Sequence, residues 1–146
     1  MFQIIIKDDF VYSKVSQNIY TTVYISYDGK NFPDSEWTDF PIGIMCMWVE
    51  GVKNILCDKK IKGTEQLFFW DGDFRLDCTL EENMFHIEMK RGDEKQDEIY
   101  LKISDFLQAL LESIERIIQI VEICNCRSYE YRLLKKKRKW LMSVLC

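Results

Sequence analysis

Between Glu65 and Ile103 apolar and polar residues alternate with a period of two, and this constrains the fold more than any other feature of the chain. Phe74, Leu76, Cys78 and Leu80 alternate with Arg75, Asp77 and Thr79. Phe85, Ile87 and Met89 alternate with His86, Glu88 and Lys90, and Ile99, Leu101 and Ile103 with Tyr100 and Lys102. Successive strand residues point to opposite faces, so the pattern specifies half-buried antiparallel strands. The turns can be tested against it. Asp71-Gly72 is a two-residue hairpin signal, and a loop there pairs Phe69 with Phe74 and Leu67 with Leu76. A four-residue loop over 81–84 pairs Leu80 with Phe85 and Cys78 with Ile87. Pairing Met89 with Ile99 then sets Ile87 opposite Leu101 and Phe85 opposite Ile103. Every pair keeps apolar residues on one face, and a slip of one residue would destroy that agreement. A four-stranded meander over about 65–103 with one apolar face is predicted.

That face needs a cover. Ser104 suits an N-cap and Asp105 a first helical turn. Phe106, Leu107, Leu110, Leu111, Ile114, Ile117, Ile118 and Val121 then form one stripe, predicting a helix over about 105–122. A second helix over about 40–56 follows from Ile44/Met45, Trp48, Val52 and Ile55/Leu56, with Asp39 as cap and Pro41 in the first turn. A buried strand over 42–49 is the competing reading, because Gly43 weakens the helix. Nearer the N-terminus, Phe2–Lys7 and Ile19–Tyr27 are rich in strand formers. Ile19, Val23 and Ile25 face one side, Tyr20 and Tyr24 the other, and Asp28-Gly29 ends the run. The expected architecture is α+β: an antiparallel sheet with helices on one side.

With 146 residues, 47% of them apolar and 30% charged, the chain has the size and composition of one folded domain. Its net charge of −4 conceals a division: −10 over residues 1–126 and +6 over 127–146. The first span is expected to be a compact acidic domain and the second a basic tail forming a short, loosely docked helix. The tail carries the consecutive cations Lys135, Lys136, Lys137, Arg138 and Lys139. Three readings suit it: binding phosphate backbones, lying on an anionic membrane, or packing as a solvated helix on the acidic domain. No stretch reaches about 18 apolar residues and no secretory leader is visible, so a soluble, cytoplasmic protein is expected. The six cysteines lack the paired spacing and histidines of a zinc site, and are expected to be reduced and mostly structural.

The predicted register places Asp77 opposite Glu88, beside Tyr100, on the outer sheet face, with Thr79, His86 and Lys102 in the next row. Facing carboxylates suit an acid/base pair or a cation site, but Arg75 and Lys90 stand one step away to neutralise them. Neither row carries an oxyanion hole or a third orienting group, and no phosphate-loop, HExxH or GxSxG motif is present. A non-catalytic protein needing no metal or cofactor is therefore expected. Phe68, Trp70 and Tyr100 share that outer face, where aromatics either lie under another element or anchor a partner.

Two segments carry a resemblance. Trp37-Thr38-Asp39-Phe40, before an apolar stretch with a Trp, resembles the W-x-D-F element of small bacterial immunity-type proteins associated with polymorphic toxins. Leu67-Phe68-Phe69-Trp70-Asp71-Gly72 is similar to their F-x-D-G hairpin, set before a meander and a closing helix. The likeness covers roughly residues 18–122 and does not extend to the basic tail. It implies a cytoplasmic binding protein that occludes a cognate toxin domain, often a nuclease, without catalysis. Asp77 and Glu88 would then meet basic groups of the partner, and Phe68, Trp70 and Tyr100 would anchor it. The acidic composition independently suits a basic, phosphate-gripping partner. The alternatives are a nucleic-acid- or membrane-associated module acting through Lys135–Lys139, or a structural domain that forms a homodimer through its aromatic face.

Overall fold

The computed structural model describes residues 1–57, 63–125 and 127–145. Strands β1 (Gln3–Ile6), β2 (Val11–Ser13), β3 (Asn18–Tyr27), β4 (Lys30–Phe32) and β5 (Thr38–Asp39) precede helix α1 (Pro41–Cys57). The meander follows as β6 (Thr64–Phe68), β7 (Phe74–Glu81), β8 (Met84–Arg91) and β9 (Glu94–Lys102). Helices α2 (Ile103–Cys124) and α3 (Tyr129–Leu145) close the chain. The fold is α+β, with two antiparallel sheets.

The meander runs in the order β6-β7-β8-β9 and turns Leu67, Leu76, Cys78, Phe85, Ile87 and Met89 into the core. Leu67 pairs with Leu76, Leu80 with Phe85 and Cys78 with Ile87, as the alternation requires. The turns differ from expectation. Residues 70–73 form the first loop, closed by the Phe69 N–H donating to Phe74 O at 3.1 Å. Glu81 pairs with Met84, which shortens the second loop to Glu82-Asn83.

The last register is two residues away from the predicted one. Ile87 faces Ile99 and Phe85 faces Leu101, not Leu101 and Ile103. A tight turn at Gly92-Asp93 causes this, with Gly92 at φ 59 and a bulge between Met89 and Lys90 absorbing the odd residue. Ile103 consequently leaves the ladder and starts α2. Lys102 is the α2 N-cap, so Ser104 lies inside the first turn and does not cap it.

In the other sheet β3 is the common partner of β1, β2, β4 and β5. Ile19, Val23 and Ile25 are buried and Tyr20 is exposed, as their alternation demands. Phe32 and Phe74 meet edge to face at 5.6 Å, and the Tyr27 hydroxyl donates to Asp97 at 2.9 Å, joining the sheets.

Helix α1 keeps Ile42, Ile44, Met45, Trp48, Val49 and Val52 fully buried along one broad side, with Met47, Glu50 and Cys57 exposed on the other. A stripe that broad meets more than one neighbour. One cover is β6, and a Cβ at Gly51 would come within 2.6 Å of Leu67. The second cover is α3, which packs across α1 and α2 on the side away from the meander. Expected to dock loosely, α3 instead buries Leu134 and Leu141 completely and Tyr131 almost so. The stripe of α2 packs on β1 and β9, with Phe106 against Phe2 and Phe85.

Candidate functional site

The W-x-D-F and F-x-D-G segments meet in space, joined by one buried carboxylate. Asp39 Oδ2 accepts the Trp37 indole N–H at 2.9 Å and the Asp71 N–H at 3.1 Å, while Oδ1 accepts the Phe40 N–H at 2.7 Å. Asp39 therefore ties the start of α1 to the hairpin turn. It stands before the cap position it was expected to fill, since Ile44 N–H donates to Phe40 O. Trp37 lies against the turn at Gly72 and against Phe74, with ring centroids 5.0 Å apart. Trp70 stands edge-on to Phe40 at 5.3 Å. Gly43 permits that approach: a Cβ there would lie 2.7 Å from Phe40 and 2.9 Å from Trp70. The glycine that weakens α1 locally is what seats Trp70 on it.

On the outer sheet face the strands align three rows: Arg75–Lys90–Lys95, Asp77–Glu88–Glu98 and Thr79–His86–Tyr100. Asp77 does face Glu88, as expected, but the two-residue shift puts Glu98 beside Glu88 and moves Tyr100 beside His86; Lys102 lies beside Met84. Gly92-Asp93 was the signal that could have found Glu98, because it allows a two-residue turn. The carboxylates are already paired. Arg75 Nε donates to Asp77 at 2.8 Å, and Lys90 Nζ lies 3.9 Å from Asp77 and 3.8 Å from Glu88. Lys95 sits 2.9 Å from Glu98 and 4.0 Å from Glu88. Lys95 and then His86 hold the Glu98 carboxyl below its usual range, and Glu98 in turn raises Lys95. His86 Nε2 is 2.6 Å from Glu98 and its Nδ1 is 3.5 Å from Glu81. Like charges in one row are thus offset by the row beside them.

The aromatics are not gathered into one group. Tyr100 stacks on His86, with centroids 4.5 Å apart, and stays exposed. Phe68 lies beside Arg75 on the opposite edge of the sheet, three strands away, which is about 14 Å at the usual strand spacing. Trp70 leaves the ladder for α1. Tyr20, on the other sheet, joins Trp70 through Phe40, which it approaches to 5.9 Å. Met47 and Val11 are further exposed apolar groups of this region that sequence reasoning missed.

The basic run divides by helical phase. Lys137 pairs with Glu50 and keeps its carboxyl low, and Arg138 reaches Glu115 at 3.4 Å. Lys135 lies 4.7 Å over the Tyr131 ring, while Lys136 and Lys139 are exposed. The apolar side of α3 is occupied by the core. Cys46, Cys57 and Cys78 are free thiols; Cys126 and Cys146 lie outside the described residues. Burial pushes Cys78 up to about 12 and Cys46 up to about 11. Among the described residues no His, Cys, Asp or Glu group is placed to hold a metal, and no helix is long and apolar enough to cross a membrane.

No protein-family model matches the chain, and no curated protein or solved structure matches it either.

Proposed function

We propose that the chain is a cytoplasmic, non-catalytic immunity-type protein that binds a cognate bacterial toxin domain and neutralises it. The outer face of the meander carries this reading. Phe68 and Tyr100 remain exposed there and Trp70 beyond its edge, whereas Asp77, Glu88 and the other charged groups pair with one another. Exposed aromatics around a balanced polar centre supply anchors for a protein surface. The net charge of −10 over residues 1–126 supports a basic partner, since an acidic surface speeds encounter with a domain built to grip phosphate. Occlusion asks for affinity, and no bond need be made or broken by this chain.

The test is growth rescue. The product of the gene adjacent to this one is expressed with and without the chain: alone it should stop growth, and growth should return when both are present. The two should co-elute as a complex that weakens as salt rises. Undiminished toxicity in the presence of the folded chain would overturn the proposal.

A further inference from the structure

Several exposed apolar side chains share one neighbourhood. Trp70 is 57% exposed and Tyr20 39%, on two flanks of the buried Phe40 ring. Val11, 67% exposed, is the cross-strand partner of Tyr20. Phe68, 46% exposed, ends β6 two residues before Trp70. Met47, 40% exposed, lies one helical turn beyond Gly43, against which Trp70 packs. Trp70 is already oriented by Phe40, Gly43 and the Asp39–Asp71 hydrogen bond. Little side-chain freedom is left to lose on binding.

The turn that carries Trp70 is acidic. Asp71 and Asp73 are exposed on it. Gly92 N–H donates to Asp73 O at 2.8 Å, which brings up the exposed Asp93 and Glu94 of the next turn. On the other side Trp37 lies against Gly72 and carries with it the exposed Asp34 and Glu36. Arg91, over the Phe74 ring at 5.8 Å, and Arg75, largely buried, bound to Asp77 and 3.8 Å from Asp93, stand against these six carboxylates. The middle of the sheet face, by contrast, sets three cations against three carboxylates.

We propose that the docking surface is this Trp70 end of the molecule, and that its occupant is a basic protein segment bearing a bulky apolar anchor. The inference rests on the binding reading above, and places its contact away from Asp77 and Glu88. Carboxylates already paired would have to be desolvated without gaining a partner, whereas the exposed Asp71 and Asp73 beside Trp70 steer cations and give up no ion pair. Isologous pairing of two copies through this patch would bring like-charged acidic rims together.

A displayed random-peptide library selected on the full chain tests the surface without knowledge of the partner. Enriched peptides should combine Lys or Arg with Trp, Phe or Leu. Trp70→Ala, and independently Phe68→Ser, should weaken them by about 10- to 30-fold, as loss of an interface anchor does. Asp71→Asn with Asp73→Asn should weaken them several-fold at low salt and flatten the salt dependence. Asp77→Asn with Glu88→Gln should leave binding within about twofold, as exposed paired charges contribute little. Acidic or uncharged peptides, binding indifferent to both Trp70 and Phe68, or no enrichment would overturn the proposal. So would a concentration-dependent dimer in sedimentation that Trp70→Ala abolishes. If selection succeeds and growth rescue fails, the toxin reading falls and the surface stands; the reverse result removes the surface alone.

Discussion

Replacing Asp39 by Ala and by Asn should give two different losses of stability. Asp39 is buried at 3% exposure and accepts from the Trp37 indole, the Phe40 amide and the Asp71 amide. Ala removes both acceptor oxygens at once and leaves the three donors facing a small hole. Each hydrogen bond to a charged acceptor is worth about 1.5–3 kcal/mol, but release of the buried carboxylate from its desolvation offsets several kcal/mol of the sum. The net loss expected for Asp39→Ala is about 3–5 kcal/mol, as for other buried charged groups whose partners are stranded. Asn keeps one oxygen. Set where Oδ2 lies, that oxygen still serves Trp37 and Asp71, and only the Phe40 amide meets a second donor. One unsatisfied donor costs about 1–3 kcal/mol. Urea unfolding followed by tryptophan fluorescence measures both variants. With a slope of about 1–3 kcal/mol per molar urea, the Ala midpoint should fall by at least about 1 M, and the Asn midpoint by less. If both variants unfold within about 0.5 kcal/mol of the parent, the effect of an ordinary surface substitution, Asp39 is not the junction of the two segments and the reasoning fails.

Leu134→Ala should cost about 2–5 kcal/mol in the same assay, because Leu134 is fully buried between α3 and the rest of the core. A change within error would return α3 to the standing of an appended tail. The Asp9 carboxyl is held below 3.8 chiefly by the Thr22 hydroxyl, then by Thr21 and the Thr22 amide. A depressed folded value stabilises above the unfolded value and loses that contribution as pH falls through the folded one. Asp9→Asn should therefore flatten the stability loss below about pH 4, near the ordinary carboxylate range, and an unchanged slope would refute the bonding. Alkylation at about pH 8 mapped by mass spectrometry should label the exposed Cys57 early and Cys78, buried and pushed up to about 12, last. Equal rates would contradict the burial of Cys78.

Alternation made the meander readable before any contact was known, and it also explains the one register error within it. A one-residue slip turns a strand inside out, so 67/76 and 80/85 followed from the pattern. A two-residue slip leaves every apolar side chain facing inward. The pattern therefore could not separate Ile87 opposite Leu101 from Ile87 opposite Ile99, and the Gly92 turn with its bulge made the choice. Helix α1 was readable from its apolar spacing, and in the structure it has a second cover besides β6. Nothing local named α3 as that cover, since a lysine-rich helix looks solvated until Lys137 meets Glu50, Arg138 meets Glu115, and Leu134 and Leu141 are seen between them. The candidate surface divided likewise. Facing of Asp77 and Glu88 was visible from one hairpin, whereas the separation of Tyr100 from Trp70 depended on how four strands and a helix are placed.

Element order, strand facing and the apolar stripe of α2 belong to the chain read locally, because they follow from the residue period and from neighbours a turn away. The junction at Asp39 does not. It joins an indole two residues off to an amide 32 residues off, and neither motif by itself indicates the other. The exposed Trp70 with its acidic rim is likewise a product of packing. Gly43 leaves the space, Phe40 supplies the support, and three separate turns bring their carboxylates together only when the two sheets meet. Long-range placement of this kind is set by which surfaces bury best against one another, a property of the whole core that no single stretch of residues contains.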